Sequence, residues 1–338
     1  MPFEDVSFVS PGEGWAVNLS QADRAVEVIH SLDGGVTWTP PVKVAPMNVA
    51  SGDAPPHFGI RFANRQVGWV FGSGIYATND GGLTWSKTGA VGEVFDVATI
   101  GDSSWAITGC DPRISLCARE LMIWDSGTGN WRAAVPQPPV TSGPFRIIRA
   151  TAQRALISQE TEMDTRLVRT EDGGVTWRRL SIPCRGFAGM PVATLDGVHL
   201  WMVCAGGMGA GQQLKDVYTS SDSGDSWVLR ARAGLHGNVG AISSSGYAHL
   251  LALGSATTGF LAMDRGDFYR STDRGVTWIN SGISHGEAFF SALWFADPAH
   301  GWVAAQVGTI QMEGRIGLYR TIDGGAHWAL VSSMLGSM

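Results

Sequence analysis

The octapeptide SLDGGVTW at residues 31–38 recurs along the chain and decides its architecture. We call it the box: Ser or Thr stands first, Asp third, Gly fifth and, in most copies, Trp last after Thr or Ser. A degenerate copy keeps the final Trp. The seven copies are SLDGGVTW (31–38), TNDGGLTW (78–85), WDSGTGNW (124–131), TEDGGVTW (170–177), SSDSGDSW (220–227), STDRGVTW (271–278) and TIDGGAHW (321–328).

The spacing of the boxes predicts a β-propeller. Successive final tryptophans lie 46 to 51 residues apart, and seven such periods use the whole chain. A repeat of this length with short apolar runs and Gly-rich turns is typical of a four-stranded propeller blade. We therefore expect an all-β chain that forms a single seven-bladed domain over residues 1–338. The predicted blades are 3–41, 57–90, 93–135, 144–181, 189–232, 247–281 and 287–334.

Each repeat predicts four antiparallel strands, A to D. An aromatic residue after Gly or Ser, as in Gly14-Trp15 and Gly68-Trp69, marks the start of strand B. The box is expected at the hairpin between strands C and D, where Ser, Thr and Asp bond the turn backbone and Gly accepts a positive φ. Strand D carries the box Trp, which we expect to pack between neighbouring sheets as a buried core ring. The ring is expected to close by packing of blade 7 on blade 1, without an exchanged strand.

The box resembles the Asp-box, or BNR, repeat, and its pairing with the Gly-Trp mark resembles the Ycf48-like propellers. This resemblance implies a structural role for the box residues and a non-catalytic binding or assembly function with a protein partner. The structural residues it implies are Asp33, Trp38, Asp80, Trp85, Asp172, Trp177, Asp222, Trp227, Asp273, Trp278, Asp323 and Trp328. Equivalent copies spread around a ring cannot converge on one bond, which argues against a catalytic or calcium-binding role for the aspartates.

Variable loops between strands B and C, and between blades, place the predicted binding site on the face opposite the boxes. Residues that begin the inner strands there are candidates for polar recognition at the mouth of the channel. The ligand-binding candidates are His57, Glu93, Arg146, Arg185, His236, His285 and Glu287. Weak catalytic candidates are His57, His236, His285, Tyr247, Glu93 and Glu287.

A carbohydrate-active enzyme and a lectin stay open as alternatives, although the sequence favours a non-catalytic binding protein. A glycoside hydrolase or polysaccharide lyase would place a base and a charge clamp at the channel mouth, with Arg146 beside the histidines. A lectin is the other alternative. The segment 145–148 (FRII) resembles a sialidase motif but lacks its Pro and falls in blade 4, so no sialidase role is assigned.

Four cysteines allow three pairings, of which Cys110–Cys117 and Cys184–Cys204 join near neighbours. If these disulfides form, the compartment is oxidising, so we expect a periplasmic or secreted protein; a cytoplasmic location and free thiols stay open. The chain begins MPFED, without a signal sequence, which fits an exported protein whose signal has been removed. Neither a Cys-x-x-Cys motif nor a His/Cys cluster is present, so no metal or cofactor is predicted.

Composition narrows the class of partner. Hydrophobic residues make up 44% and charged residues 16%, which excludes a disordered chain or a coiled coil. The net charge of −6 argues against a nucleic-acid partner. No apolar run reaches the roughly 18 residues of a membrane span. The expected partner is a protein or a glycan on the variable-loop face, bound by a monomer.

Overall fold

The computed structural model describes residues 3–20, 22–47, 57–89, 92–109, 119–140, 145–160, 165–184, 191–234, 237–265, 267–283, 288–307 and 315–335. These residues form 29 strands in seven antiparallel sheets, each built from consecutive strands. The sheets are arranged as the seven blades of a β-propeller, as the repeat predicts. Within the same residues, no helix has the length and apolar character that crossing a membrane requires.

The strands run from the inner to the outer edge of each blade in chain order. Blade 1 holds β1 (Phe3–Phe8), β2 (Gly14–Ser20), β3 (Ala25–Ser31) and β4 (Val42–Pro46). Blade 2 holds β5 (Gly59–Phe62), β6 (Gly68–Gly72), β7 (Gly74–Thr78) and β8 (Ser86–Lys87). Blade 3 holds β9 (Glu93–Ile100), β10 (Ser103–Gly109), β11 (Glu120–Asp125) and β12 (Asn130–Ala133). Blade 4 holds β13 (Phe145–Arg149), β14 (Ala155–Glu160), β15 (Thr165–Thr170) and β16 (Arg178–Arg179).

Blade 5 departs from this plan by adding a fifth strand. It holds β17 (Val192–Thr194), β18 (Leu200–Gly209), β19 (Gln212–Ser220), β20 (Val228–Gly234) and β21 (Gly237–Val239). Blade 6 holds β22 (Tyr247–Leu253), β23 (Gly259–Asp264), β24 (Phe268–Ser271) and β25 (Ile279–Asn280). Blade 7 holds β26 (Ala288–Phe295), β27 (Gly301–Val307), β28 (Arg315–Thr321) and β29 (Ala329–Leu335).

Strand D differs in position from the sequence prediction. In blade 1 it spans Val42–Pro46, beyond the predicted end of that blade at residue 41. In most blades the box Trp precedes strand D instead of lying in it, as Trp85 does before β8. The reason is the box turn, because its internal hydrogen bonds keep the chain outside the hydrogen-bond ladder of the sheet as far as the Trp.

Hydrogen bonds inside the box explain why its residue types occur together. In blade 1, Ser31 Oγ donates to Asp33 Oδ1 (2.9 Å) and accepts the Gly35 N–H (2.8 Å). Asp33 then accepts the backbone N–H of Thr37 (2.9 Å) and its hydroxyl (2.6 Å). Gly34 and Gly35 both have positive φ, at 78° and 93°. The five other full copies repeat the bonds between the first, third, fifth and seventh residues.

The contact between blades is made by the aromatic residue that begins strand B. This side chain is no more than 2% exposed in six blades: Trp15, Trp69, Trp105, Trp201, Phe260 and Trp302. At Trp15, Phe260 and Trp302 a phenylalanine at the end of the next blade's strand A stacks on it, as Phe62 does on Trp15 (ring centroids 3.7 Å apart). The indole N–H of Trp15 also donates to Gly81 O in the next box, at 2.8 Å. Trp15, and Trp302 in the same way, thereby lock their blades to the box of the next blade.

The box tryptophans are less buried than the sequence suggested. Trp278 and Trp131 are buried, but Trp38, Trp85, Trp177, Trp227 and Trp328 are only half-buried. Trp131, Trp278 and Trp328 pack edge-on over the strand-B aromatic of the preceding blade, as Trp278 does over Trp201 (6.0 Å, 88°). The core ring therefore consists of the strand-B aromatics, and the box indoles cover it from outside.

Ring closure uses these same contacts and no exchanged strand, as predicted. Blade 1 is built from β1 to β4 and blade 7 from β26 to β29. Trp302 donates its indole N–H to Gly34 O (2.9 Å), and Phe8 stacks on Trp302 at 3.7 Å. Ser291 Oγ and Trp294 Nε1 donate to the Phe3 and Phe8 carbonyls, each at 3.0 Å.

We predict that Trp15→Phe destabilises the protein by about 1–2 kcal/mol more than Trp69→Phe. Both indoles are fully buried and lose the same ring area. Trp15 donates to Gly81 O, whereas the Trp69 N–H has no hydrogen-bond partner in the described residues, because it faces the degenerate box of blade 3. The measurement is the free energy of unfolding in urea; equal losses in the two variants would contradict the proposed blade lock.

We predict that stability falls steeply as the pH drops from 4 to 2. Hydrogen bonds from the seventh box residue lower the pKa of Asp33, Asp80, Asp172, Asp222 and Asp323 to about 2. The pKa of an Asp in the unfolded chain is about 3.9. The ionised box aspartates therefore stabilise the folded state fully above that pH, and this stabilisation is lost as the pH falls toward 2. Urea midpoints measured from pH 5 to pH 2.5 test this. Asp80→Asn should lower the midpoint at pH 5 and flatten its pH dependence.

Candidate functional site

The face opposite the boxes carries the ends of strands B and D and the starts of strands A and C. The described sequence candidates His57, Glu93, Arg146 and Tyr247 all lie at or beside the start of an inner strand on this face. The remaining candidates and one cysteine pair lie outside the described residues: Arg185, His236, His285, Glu287, Cys110 and Cys117.

His57 and Glu93 lie at two different places on the rim and do not form one cluster. His57 is largely exposed, with Nδ1 3.8 Å from Glu4 Oε2, and the neighbouring Glu4 carboxylate raises the pKa of His57. Glu93 stands near Arg119, whose guanidinium carbon lies 3.2 Å from the centre of the Phe95 ring. Burial lowers the pKa of Arg119, and the Glu93 charge opposes that shift.

A network of charged side chains on the inner strands links blades 1 to 4. Arg61 forms an ion pair with Asp5, which also accepts the Ile60 N–H at 3.1 Å. Asp96 accepts the Ile147 N–H at 2.7 Å. Burial raises the pKa of Asp96, against the opposing charges of Arg61 and Arg146. Both carboxylates therefore join the inner strand of the next blade to their own, which makes them structural.

Bulges in four inner strands turn extra residues out of the ladder. The register with strand B shifts at one residue in blades 1, 3, 6 and 7. The bulged residues are Glu4, Phe95, His249 and Ser291. Bulges re-aim side chains and are common beside functional sites. The sequence gives no sign of them, because a bulge adds one residue to a strand without a characteristic motif.

A cavity of about 280 Å³ lies among the inner strands of blades 4 to 7. Its charged residues are Arg146 and His249, and its apolar wall is formed by Val192, Leu250, Leu251 and Leu293. His249 Nδ1 lies 3.1 Å from Asp264 Oδ2. Burial raises the pKa of Asp264, and the neighbouring His249 opposes that shift. Arg146 was a sequence candidate, whereas the His249–Asp264 pair was not.

A larger cavity, of about 510 Å³, opens in blade 5 on the same face. Residues 205–213, which join strands B and C of this blade, lengthen β18 and β19 into a hairpin that forms its wall. The predicted Cys184–Cys204 disulfide is present, with the two Cα atoms 5.2 Å apart, and lines the cavity. It ties the segment before β17 to the wall.

The cavity combines an apolar lining with one polar group of residues. Ala205, Leu214 and Ala233 contribute apolar surface. Asp216 accepts two hydrogen bonds from Arg232, at 2.6 Å from Nε and 2.8 Å from Nη2. The Tyr218 hydroxyl lies 3.5 Å from Asp216 Oδ2, and burial raises the pKa of Tyr218. This arrangement offers shape, apolar contact and a fixed polar anchor to a bound chain.

Lys215 fixes the wall of this cavity to the link that leads to blade 6. Its side chain is 1% exposed, and Nζ lies within hydrogen-bond distance of four carbonyl oxygens: Gln213 and Ser244 at 3.0 Å, and Ser243 and Ser245 at 3.3 Å. Burial lowers the pKa of Lys215 to about 8. Sequence reasoning missed it, although Lys215 alternates with the buried Val217 and so stands on the inward side of its strand.

The fold was compared with known sequences and structures. No family model and no curated protein matches the sequence. Solved structures do match: Ycf48 bound to a D1 peptide (TM-score 0.59, 20% identity, 89% of each chain) and Ycf48 from Cyanidioschyzon merolae (0.62, 18%, 96% of this chain and 97% of that one). The chain is a seven-bladed propeller that resembles Ycf48. Hydrazine synthase from Kuenenia stuttgartiensis matches with a TM-score of 0.60 at 10% identity, over 89% of this chain and 92% of that one. At these identities the likeness concerns the fold.

Proposed function

We propose that this propeller is a non-catalytic scaffold that binds a partner protein, and that an extended segment of the partner occupies the blade-5 cavity. The cavity itself carries this proposal. Its volume of about 510 Å³ suits several side chains of a peptide, and it opens on the face that the boxes leave free.

The cavity is built to keep its shape before a partner binds. The Cys184–Cys204 disulfide holds one side, and the Lys215 contacts hold the base of the hairpin to residues 243–245. A preorganised site loses less conformational entropy on binding. The cavity offers both apolar side chains and the Asp216–Arg232 pair, which suits a segment of mixed composition.

The resemblance to Ycf48 supports a peptide as the ligand. One of the matching structures is Ycf48 bound to a D1 peptide. A propeller of this size and blade number can therefore hold an extended segment of another protein. We do not propose the D1 peptide itself as the ligand of this chain, because the two sequences are only 20% identical.

We predict that Gly207→Trp abolishes peptide binding while the fold is kept. The nearest atom to a Cβ at Gly207 is Leu214 Cδ1 at 4.0 Å, so an indole there would fill the cavity. Peptides are selected from a displayed random library against the wild-type protein, and their affinities are measured by titration. We expect a loss of at least about tenfold in Gly207→Trp.

Gly209→Trp is the matched control, because Gly209 lies on the same strand with no atom within 4 Å of its Cβ position and outside the cavity lining. It should bind the selected peptides as the wild type does. Unfolding curves of both variants show whether the fold is intact. Unchanged affinity in a folded Gly207→Trp variant, or failure to select any peptide, would refute the blade-5 site.

A second function, carbohydrate cleavage, is favoured by the His249–Asp264 pair beside Arg146 in the cavity of about 280 Å³. An imidazole oriented by a carboxylate can act as a base, and a guanidinium can hold a substrate carboxylate. This arrangement would suit a lyase acting on an acidic polysaccharide. We predict that activity, if present, is lost in His249→Ala; products are measured after incubation with a polysaccharide panel. Product formation that survives His249→Ala would exclude this site.

A further inference from the structure

A small cavity lies on the box face, between blades 5 and 6, remote from the proposed peptide site. Its volume is about 40 Å³, room for about three water-sized groups. Its polar lining comes from both blades: His199, Thr219, Ser221, Ser226, Arg230 and Arg274. Nearly all of these side chains can donate hydrogen bonds, and two are permanent cations.

The cavity exists because an interblade arginine is missing. In blades 4, 6 and 7 the residue before the box is an arginine that donates to a carbonyl of the next box. These bonds join Arg169 to Ser223 O (2.6 Å), Arg270 to Gly324 O (2.9 Å) and Arg320 to Asp33 O (3.3 Å). Blade 5 has Thr219 at this position, whose side chain is too short to cross. Space is left where blades 4, 6 and 7 place a guanidinium.

Two arginines of different origin line that space. Arg230, on strand D of blade 5, donates from Nε to Thr219 Oγ1 at 2.8 Å, so the Thr219 hydroxyl proton is free to donate. Arg274 belongs to the box of blade 6 and is exposed. Neither guanidinium forms an ion pair in the described part of the chain. The carboxylates of the two boxes accept hydroxyl hydrogen bonds within their own turns, Asp222 from Ser226 and Asp273 from Thr277.

Arg274 occupies a backbone position that favours glycine. Its φ is +61°, and the same place in four other boxes is Gly, with φ from 67° to 78°. A non-glycine residue there costs about 1 kcal/mol, so the fold alone would favour Gly. Blade 5 has Ser223 at the same place, also with a φ of +61°, so two of the six full boxes carry this cost.

We propose that this cavity binds a tetrahedral oxyanion, of the size and charge of phosphate or sulfate. Two unpaired guanidinium groups supply the charge, and the Thr219 and Ser221 hydroxyls add donors. Arginine binds such anions through paired N–H donors with defined geometry. The volume excludes a nucleotide or a sugar from the cavity itself. His199 borders the anion, its ring oriented by Asp196 at 2.7 Å from Nδ1.

The test is isothermal titration of the intact protein with inorganic phosphate, sulfate and chloride at constant ionic strength. We expect phosphate or sulfate to bind and chloride not to compete. Arg274→Gly should weaken the anion at least tenfold while leaving the melting temperature of the anion-free protein unchanged or higher, because glycine relieves the turn. Arg230→Gln should also weaken binding tenfold or more, since it removes the second cation.

Arg265→Gly is the matched control. Arg265 is another exposed arginine with positive φ, at +57°, and lies at the opposite end of blade 6. It loses the same charge and relieves the same kind of backbone strain, so anion affinity should be unchanged. Equal weakening in Arg265→Gly, or no binding of phosphate or sulfate beyond that of chloride, would overturn the proposal.

A third arm identifies the source of the oxyanion. Phenyl phosphate, a monoester, is titrated beside inorganic phosphate. Tighter binding of the free ion supports a dissolved anion as the ligand, whereas tighter binding of the ester supports an esterified group whose organic part extends out of the cavity. In both cases the loss in Arg274→Gly is required. The peptide-binding test is independent, because Gly207 lies on the opposite face.

Discussion

The structure depends on the contact that each strand-B aromatic makes with the following blade. A single blade cannot bury both faces of its sheet, so its stability comes from its neighbours. At Trp15 and Trp302 a phenylalanine of the next blade stacks on the indole, and the indole N–H donates to a carbonyl of that blade's box. The same contact is made between blade 7 and blade 1, so the ring closes through the same kind of interface that joins consecutive blades. Closure needs no exchanged strand because the last interface is equivalent to the others.

In this arrangement the box face serves mainly to hold the blades together. On the box face, side chains and carbonyls are used for turns and for interblade bonds such as Arg320 to Pro11 O. The opposite face carries the starts of the inner strands and the ends of the long hairpins, which the ring does not constrain. Inner-strand carboxylates such as Asp5 and Asp96 show the limit of this freedom, because they also bond the next blade. Polar residues near the channel are therefore structural in some blades and free to act in others.

Blade 5 is where the repeat is broken most often. It has a fifth strand, a lengthened hairpin, the disulfide and the buried Lys215 on one face. On the other face it has Thr219 where three blades have arginine. These departures concern contacts that the ring itself does not require, and two cavities lie beside them. In a repeat protein the departures from the repeat are thus the natural places to look for function.

The sequence by itself determined the number of blades, the four-strand plan and the position of every full box, because these rest on local turn chemistry repeated at a fixed spacing. It also indicated the Cys184–Cys204 pair from spacing. The tertiary structure decided which aromatics are buried, since half-burial of Trp85 and full burial of Trp15 depend on the neighbouring blade. Only the tertiary structure places His249 beside Asp264, and Arg230 and Arg274 in one cavity. The residues that line a cavity between strands or blades are far apart in the chain, and the strand register that brings them together is not specified by local sequence patterns.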